Sequence, residues 1–250
     1  MKQDKILKIN FHNFVKMQNH KKMKYLITSF IFLSFIQIGK SQNVLYKSVA
    51  PFDNITIFGS IDATIEKSGN DSLKIESNEV EFDKIDVKIE DKVLKISTTD
   101  KLFDSRKQVK INIKYRELKG IKINGGAEIT GINEIDEKTM ELIAGSGATI
   151  TLKLNSEFVN ATIGQGATIR LEGFCRKQNI EASTGGIYSA YELKCDSAYL
   201  KANTGGIVKA MANSFLDAAA STGGQISYRG EPITKKEKTI LGGSIEKMAE

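Results

Sequence analysis

The chain contains no tryptophan and only two cysteines, and its two histidines, His12 and His20, both lie before residue 42. If that leading segment is removed, the working protein has no histidine. This excludes a Ser-His-Asp or Cys-His nucleophile, a histidine general base and histidine metal ligands. Two cysteines cannot close a zinc site without other ligands. Positive charge is also missing where it would matter. The formal net charge of +6 over 250 residues would suit nucleic acid or anionic lipid. Residues 1–41, however, hold eight lysines against one acid, Asp4, which leaves 28 basic and 29 acidic side chains in residues 42–250. The body is close to neutral, at −1, and nucleic acid is not an expected partner.

Long apolar runs are scarce too. One uncharged, mostly apolar run extends from Tyr25 to Ile38, preceded by Lys21, Lys22 and Lys24 and followed by Gly39-Lys40-Ser41. This is the outline of a secretory signal peptide over residues 23–41. Met23 would then be the start, and residues 1–22 an upstream extension of no structural role. The competing reading is an uncleaved anchor, but 14 residues at roughly 1.5 Å each span about 21 Å, short of a hydrocarbon core of ~30 Å. No second long apolar run follows, so no stable membrane span is expected after cleavage. Residues 42–250 fit a single domain.

What is abundant is glycine at a fixed interval. Gly-(Ala/Gly)-x-apolar units place their first glycine at Gly126, Gly147, Gly166, Gly185, Gly205, Gly223 and Gly242, spaced 18 to 21 residues apart. Three residues after each anchor stand Ile129, Ile150, Ile169, Tyr188, Val208, Ile226 and Ile245. Five before it stand Ile121, Leu142, Ala161, Ile180, Leu200 and Ala218; three before it, Ile123, Ala144, Ile163, Ala182, Ala202 and Ala220. The two upstream columns differ by two residues, which is strand periodicity. Each unit therefore reads as strand, tight glycine corner, strand and return, the size of one coil of an all-β solenoid with about 20 residues per coil. The anchors are read as corners, where glycine takes positive φ freely, and not as phosphate-cradling loops.

Stacked coils would bring equivalent positions about 4.8 Å apart. Nine residues before the anchors stand Glu117, Lys138, Glu157, Arg176 and Asp196, alternating in sign. Such a ladder would favour the in-register arrangement. One position earlier, Cys175 and Cys195 share a column. Their Cα atoms would fall within disulfide range, so either a bond or two stacked free thiols is expected.

Within an N-terminal region of residues 42–118, residues 52–118 lack the corner but alternate clearly, at Ile55, Ile57, Ile61, Ala63 and Ile65, at Leu73 and Ile75, and at Val109, Ile111, Ile113 and Tyr115. Val87-Lys-Ile89 and Leu94-Lys-Ile96 flank the polar Glu90-Asp91-Lys92, as in a hairpin. This region is expected to start and cap the stack, residues 119–228 to form the regular coils, and residues 229–250, with Lys235-Lys236-Glu237-Lys238, to form a charged cap.

The row of Ser/Thr-Gly-(Ala/Gly)-x-apolar corners, the early Phe52-Asp-Asn-Ile55-Thr-Ile57 strand and the closing Ile226-Ser-Tyr228-Arg-Gly230-Glu-Pro232 with Gly242-Gly243-Ser244 resemble the head GIN domain family. These are exported proteins common in Bacteroidota, described as auto-transporter adhesin heads. The resemblance spans roughly residues 50–247. It implies a right-handed single-stranded β-helix and an exported location: periplasm, outer-membrane surface or secreted. It carries over no catalytic, cofactor or metal residues, and none is expected. The expected role is a non-enzymatic envelope module for adhesion or protein interaction, with an envelope protein or glycan as partner. The alternatives are a carbohydrate-active β-helix enzyme, which would need paired carboxylates and aromatic platforms, and a self-assembling scaffold. Phe158, Phe174, Tyr191 and Phe215 are the candidate outward aromatics within the repeats.

Overall fold

The computed structural model describes residues 43–77, 82–98 and 109–249. They belong to one compact unit, Gln42–Glu250. The expected upstream extension, signal peptide and Met23 start lie outside the described residues. Strands dominate, and no α-helix occurs among the described residues. The chain winds as a β-solenoid of about seven turns, about 19 residues apart. Inward positions are filled by Ile, Leu, Val and Ala, and the alternate positions face solvent, as along Thr149–Ile163. That strand and Thr168–Ala182 pair in parallel along nearly their whole length, Ile150 beside Ile169 and Ile163 beside Ala182. The same columns continue through Tyr188, Val208, Ile226 and Ile245.

All seven anchor glycines have positive φ, between 70° and 77°. In six corners the residue before the anchor is left-handed too although it is not glycine, including Ser146, Gln165 and Thr184 at 48–52°. The amide after the anchor closes the turn, with Ala148 N donating to Gly145 O (3.2 Å) and Gly186 N to Ser183 O (2.8 Å). Two consecutive positive φ values inside such a bond define a type I′ turn. A β-branched residue held left-handed is strained. Each corner, however, also joins the next coil. Gly147 N donates to Gln165 O (3.0 Å), Gly166 N to Thr184 O (3.1 Å) and Gly185 N to Thr204 O (3.2 Å). The strained carbonyl is thus the acceptor in a ladder running along the stack.

The second corner position has a different constraint. Ala127, Ala148 and Ala167 are fully buried there. A Cβ added at Gly206, Gly224 or Gly243 would lie within 3 Å of the carbonyl of Ala182, Ala202 or Ala220 on the preceding coil. An added Cβ at the anchors would meet nothing within 4 Å. The anchor glycine is required by φ, its neighbour by proximity.

The first coils are stacked out of chain order. Asn54–Phe58 lies between Val93–Thr98 and Gly120–Asn124, and Ile61–Lys67 between Val109–Tyr115 and Glu128–Gly131, all in parallel. The alternating segments read from the sequence are all strands, and Ile85–Glu90 pairs antiparallel with Val93–Thr98 as a hairpin. The end is closed by antiparallel strands, Ser72–Ser77 on Val109–Tyr115 and Asn43–Ser48 on Ser72–Ser77. Buried Asp71 fastens this end by accepting from the backbone N (3.0 Å) and the Nε (2.7 Å) of Arg116. At the far end, Lys235, Glu237 and Thr239 occupy the positions opposite Leu216, Ala218 and Ala220. The apolar column is therefore terminated by charged and polar residues, and Lys235 Nζ reaches Tyr228 Oη (3.3 Å) and Glu237 (3.4 Å). Inward charge on a final strand opposes addition of another chain.

Candidate functional site

The residues singled out for charge do not form the ladder expected of them. Glu157 N donates to Lys138 O (3.1 Å), and Arg176 and Asp196 fall between the registered pairs Cys175–Cys195 and Lys177–Ser197. Lys138, Glu157, Arg176 and Asp196 therefore lie on successive coils, yet no ion pair within 4 Å joins Glu117, Lys138, Glu157, Arg176 or Asp196 to another of them. Coil-to-coil spacing brings the backbones together, while long exposed side chains gain too little from pairing to hold one geometry. Glu117 instead lines a small cleft with Pro51, Phe52, Asp53, Lys92 and Arg116. There the Asp53 carboxylate accepts from Lys119 Nζ (2.9 Å), a bond that lowers its pKa.

Cys175 and Cys195 stand side by side and are two buried free thiols. Cys195 Sγ donates to Ser197 O (3.4 Å). The hydrogen bond with Cys195, together with burial, pushes the Cys175 pKa up, so this thiol is held protonated and unreactive. Nearby, Tyr188 Oη donates to Gln178 Oε1 (2.9 Å), and Gln178 Nε2 donates to Met211 O (2.8 Å). Gln178 is fully buried, and burial holds the Tyr188 phenol well above its ordinary pKa. This enclosed polar knot has a structural role: it spends its hydrogen bonds internally.

The accessible candidate lies on the outer face, across the strands that precede the corners. Two neighbouring outward columns run along the stack. One contains Thr139, Phe158, Lys177, Ser197 and Phe215, and the other Glu141, Asn160, Asn179, Tyr199 and Asp217. Thr139, Phe158, Asn160, Lys177, Asn179 and Tyr199 line a shallow groove on this face. Phe158 remains 37% exposed. Lys177 Nζ sits 4.4 Å from the centre of the Tyr199 ring, which packs at 5.2 Å on Phe215. The side-chain amides of Asn160 and Asn179 are exposed and have no hydrogen bond among the described residues. Neither does Lys177 have an acidic partner within 4 Å among the described residues. Aromatic surface, free amides and one unpaired cation thus converge on a rigid sheet.

Of the four aromatics expected to face outward, Phe158 and Phe174 are exposed, while Phe215 and Tyr191 are partly covered. Arg229 lies over the Tyr191 ring at 4.5 Å. Tyr199 was missed by the sequence reading. Its signal was available, because it stands six residues before Gly205, one step out of phase with the inward Leu200.

A family model described as "Putative auto-transporter adhesin, head GIN domain" matches residues 51–232. No curated protein matches the chain. Among solved structures, a putative adhesin from Bacteroides fragilis is similar at a TM-score of 0.74 and 20% identity, covering 84% of this chain and 98% of its own. A putative lipid binding protein from Parabacteroides distasonis is similar at a TM-score of 0.65 and 20% identity, with the same coverage. A putative adhesin from Parabacteroides merdae follows at 0.64 and 18% identity, covering 85% of this chain and 98% of its own. At these identities the likeness establishes the shared fold.

Proposed function

Because the chain belongs to the family of the putative auto-transporter adhesin, head GIN domain, we propose that it is an exported, non-enzymatic β-solenoid module of the cell envelope that acts by adhesion. The observation that carries this reading is the outer groove. Phe158, Asn160, Lys177, Asn179 and Tyr199 hold aromatic and polar contact groups at fixed spacing on adjacent coils. Such a surface is preorganised, so little ordering cost is incurred on binding. The two similar structures described as adhesins support the same reading.

The test is retention of cells or immobilised envelope glycans on beads coated with the full chain. Wild-type beads retain them, and a Phe158→Ala/Tyr199→Ala variant retains at least tenfold less while keeping its thermal unfolding midpoint. Equal retention by both sinks the assignment of adhesion to this face. Fractionation of expressing cells checks export, and recovery in the cytoplasm contradicts it.

A further inference from the structure

We infer that the groove takes a pyranose ring bearing a carboxylate, a uronate unit of an acidic polysaccharide. This deepens the adhesive reading and rests on it. A pyranose has apolar C–H faces and a rim of hydroxyls that both donate and accept. The groove supplies matching groups. Phe158 offers the open ring face, while Tyr199, two coils away at about 10 Å, has its ring against Lys177 and Phe215 and flanks the groove by its edge. Asn179 lies between those coils, and Asn160 shares the coil of Phe158. Each amide carries donors and an acceptor, and both are unspent within the chain. An aromatic flank with a few convergent polar groups is the usual composition of a small-ligand site.

Charge decides which sugar. The six lining residues include one cation, Lys177, and no carboxylate. A neutral sugar would leave that ammonium without a counter-ion, whereas a uronate provides one. Glu141 and Asp217 continue the amide column at its two ends, beside Asn160 and Tyr199. Their repulsion confines the ligand's carboxylate to the coil of Lys177. An acidic peptide would satisfy the lysine but would present no ring face to Phe158, so the carbohydrate fits the groove better.

The experiment is calorimetric titration of the full chain with hexagalacturonate, with its fully methyl-esterified form and with a dextran hexamer. Binding of the acid form with a dissociation constant on the order of 0.1–1 mM is expected. It should weaken as salt rises, and be at least tenfold tighter than for the ester or dextran. Lys177→Gln should remove that preference, and Phe158→Ala should lower affinity for every bound sugar. Both side chains are at least partly solvent-facing, and unchanged unfolding midpoints establish that the variants fold. Equal affinity for acid and ester, or unchanged acid binding in Lys177→Gln, overturns the inference. No binding of hexagalacturonate while the Phe158→Ala/Tyr199→Ala beads still lose adhesion overturns the ligand and leaves the adhesive reading standing. Failure of both assays removes both.

Discussion

The stack has two halves that build the same corner differently. Up to Ala167 the corners carry alanine after the anchor, and the interior is filled by branched side chains. From Thr184 onward the corners carry glycine. Among the described residues, eight of the twenty buried apolar residues after Thr168 are alanines, against six of the thirty-two before it. From Gly186 onward the second corner position passes against a carbonyl of the preceding coil, that of Ile163, Ala182, Ala202 or Ala220, and a Cβ has no room there. The later half also encloses the Tyr188–Gln178 bond, whereas the early half leaves the Tyr115 hydroxyl buried without a partner among the described residues. The lesson is that a repeat conserves its turn geometry while its cross-section is set locally by side-chain volume.

The largest effect expected from breaking this difference comes from exchanging the corner residues. Gly206→Ala places a Cβ against the Ala182 carbonyl, which is backbone and cannot rotate aside. It should cost about 3 kcal/mol, the upper end for overpacking. The reverse exchange, Ala148→Gly, leaves only a small void and a freer chain, and should cost about 1 kcal/mol. Denaturant unfolding measures both, and a smaller loss for Gly206→Ala would contradict the account of the two halves.

Next come two of the three buried tyrosines among the described residues, Tyr188 and Tyr115. Tyr188→Phe strands Gln178 Oε1 in the interior and should cost about 2 kcal/mol. Tyr115→Phe removes an unpartnered hydroxyl and should stay within about 0.5 kcal/mol of the parent, or stabilise. Alkali sharpens the contrast. Burial raises the Tyr115 pKa from 10.0 to about 12. The unfolded chain therefore loses this proton first. The contribution is fully present below pH 10 and is lost as pH rises through about 12. Tyr115→Phe should flatten part of the alkaline decline in stability above pH 10, and an identical decline in both proteins would contradict the assignment.

The smallest effect concerns strain at the corners. Thr204 has a φ of 48°, a region that asparagine enters more readily than threonine. Thr204→Asn should stabilise by about 0.5 kcal/mol and raise the unfolding midpoint by about 1–2 °C. Any fall in the midpoint would locate the strain elsewhere.

The corners, the inward columns and the charged far end were legible in the sequence because each has a residue-level signature with a fixed period. Three things were not. In six of the seven corners the left-handed residue before the anchor is Ser, Gln, Thr or Leu, side chains that carry no preference for that conformation. It is forced by the bond its carbonyl accepts from the previous coil. The charge column was visible, but alternating signs say only which residues are neighbours, not that exposed side chains meet. The groove required two outward columns to be considered together, and only one of its aromatics, Phe158, had been picked out. The site is thus a property of two columns on adjacent coils, and no single motif within one coil announces it.

The out-of-order first coil has a consequence for how the chain acquires its shape. Ile55 rests between Leu94 and Ile121, so its coil stays incomplete until some seventy further residues have emerged. Closing loops of that length is slow, and the chain entropy must be given up before the contacts compensate it. Once Glu128–Gly131 has been added, every later coil needs only its predecessor. A chain emerging N-terminus first would therefore wait through one long lag and then grow in quick steps of about 19 residues. On unfolding, the sequence reverses: coils peel from the C-terminal end, and the interleaved end is the last to let go.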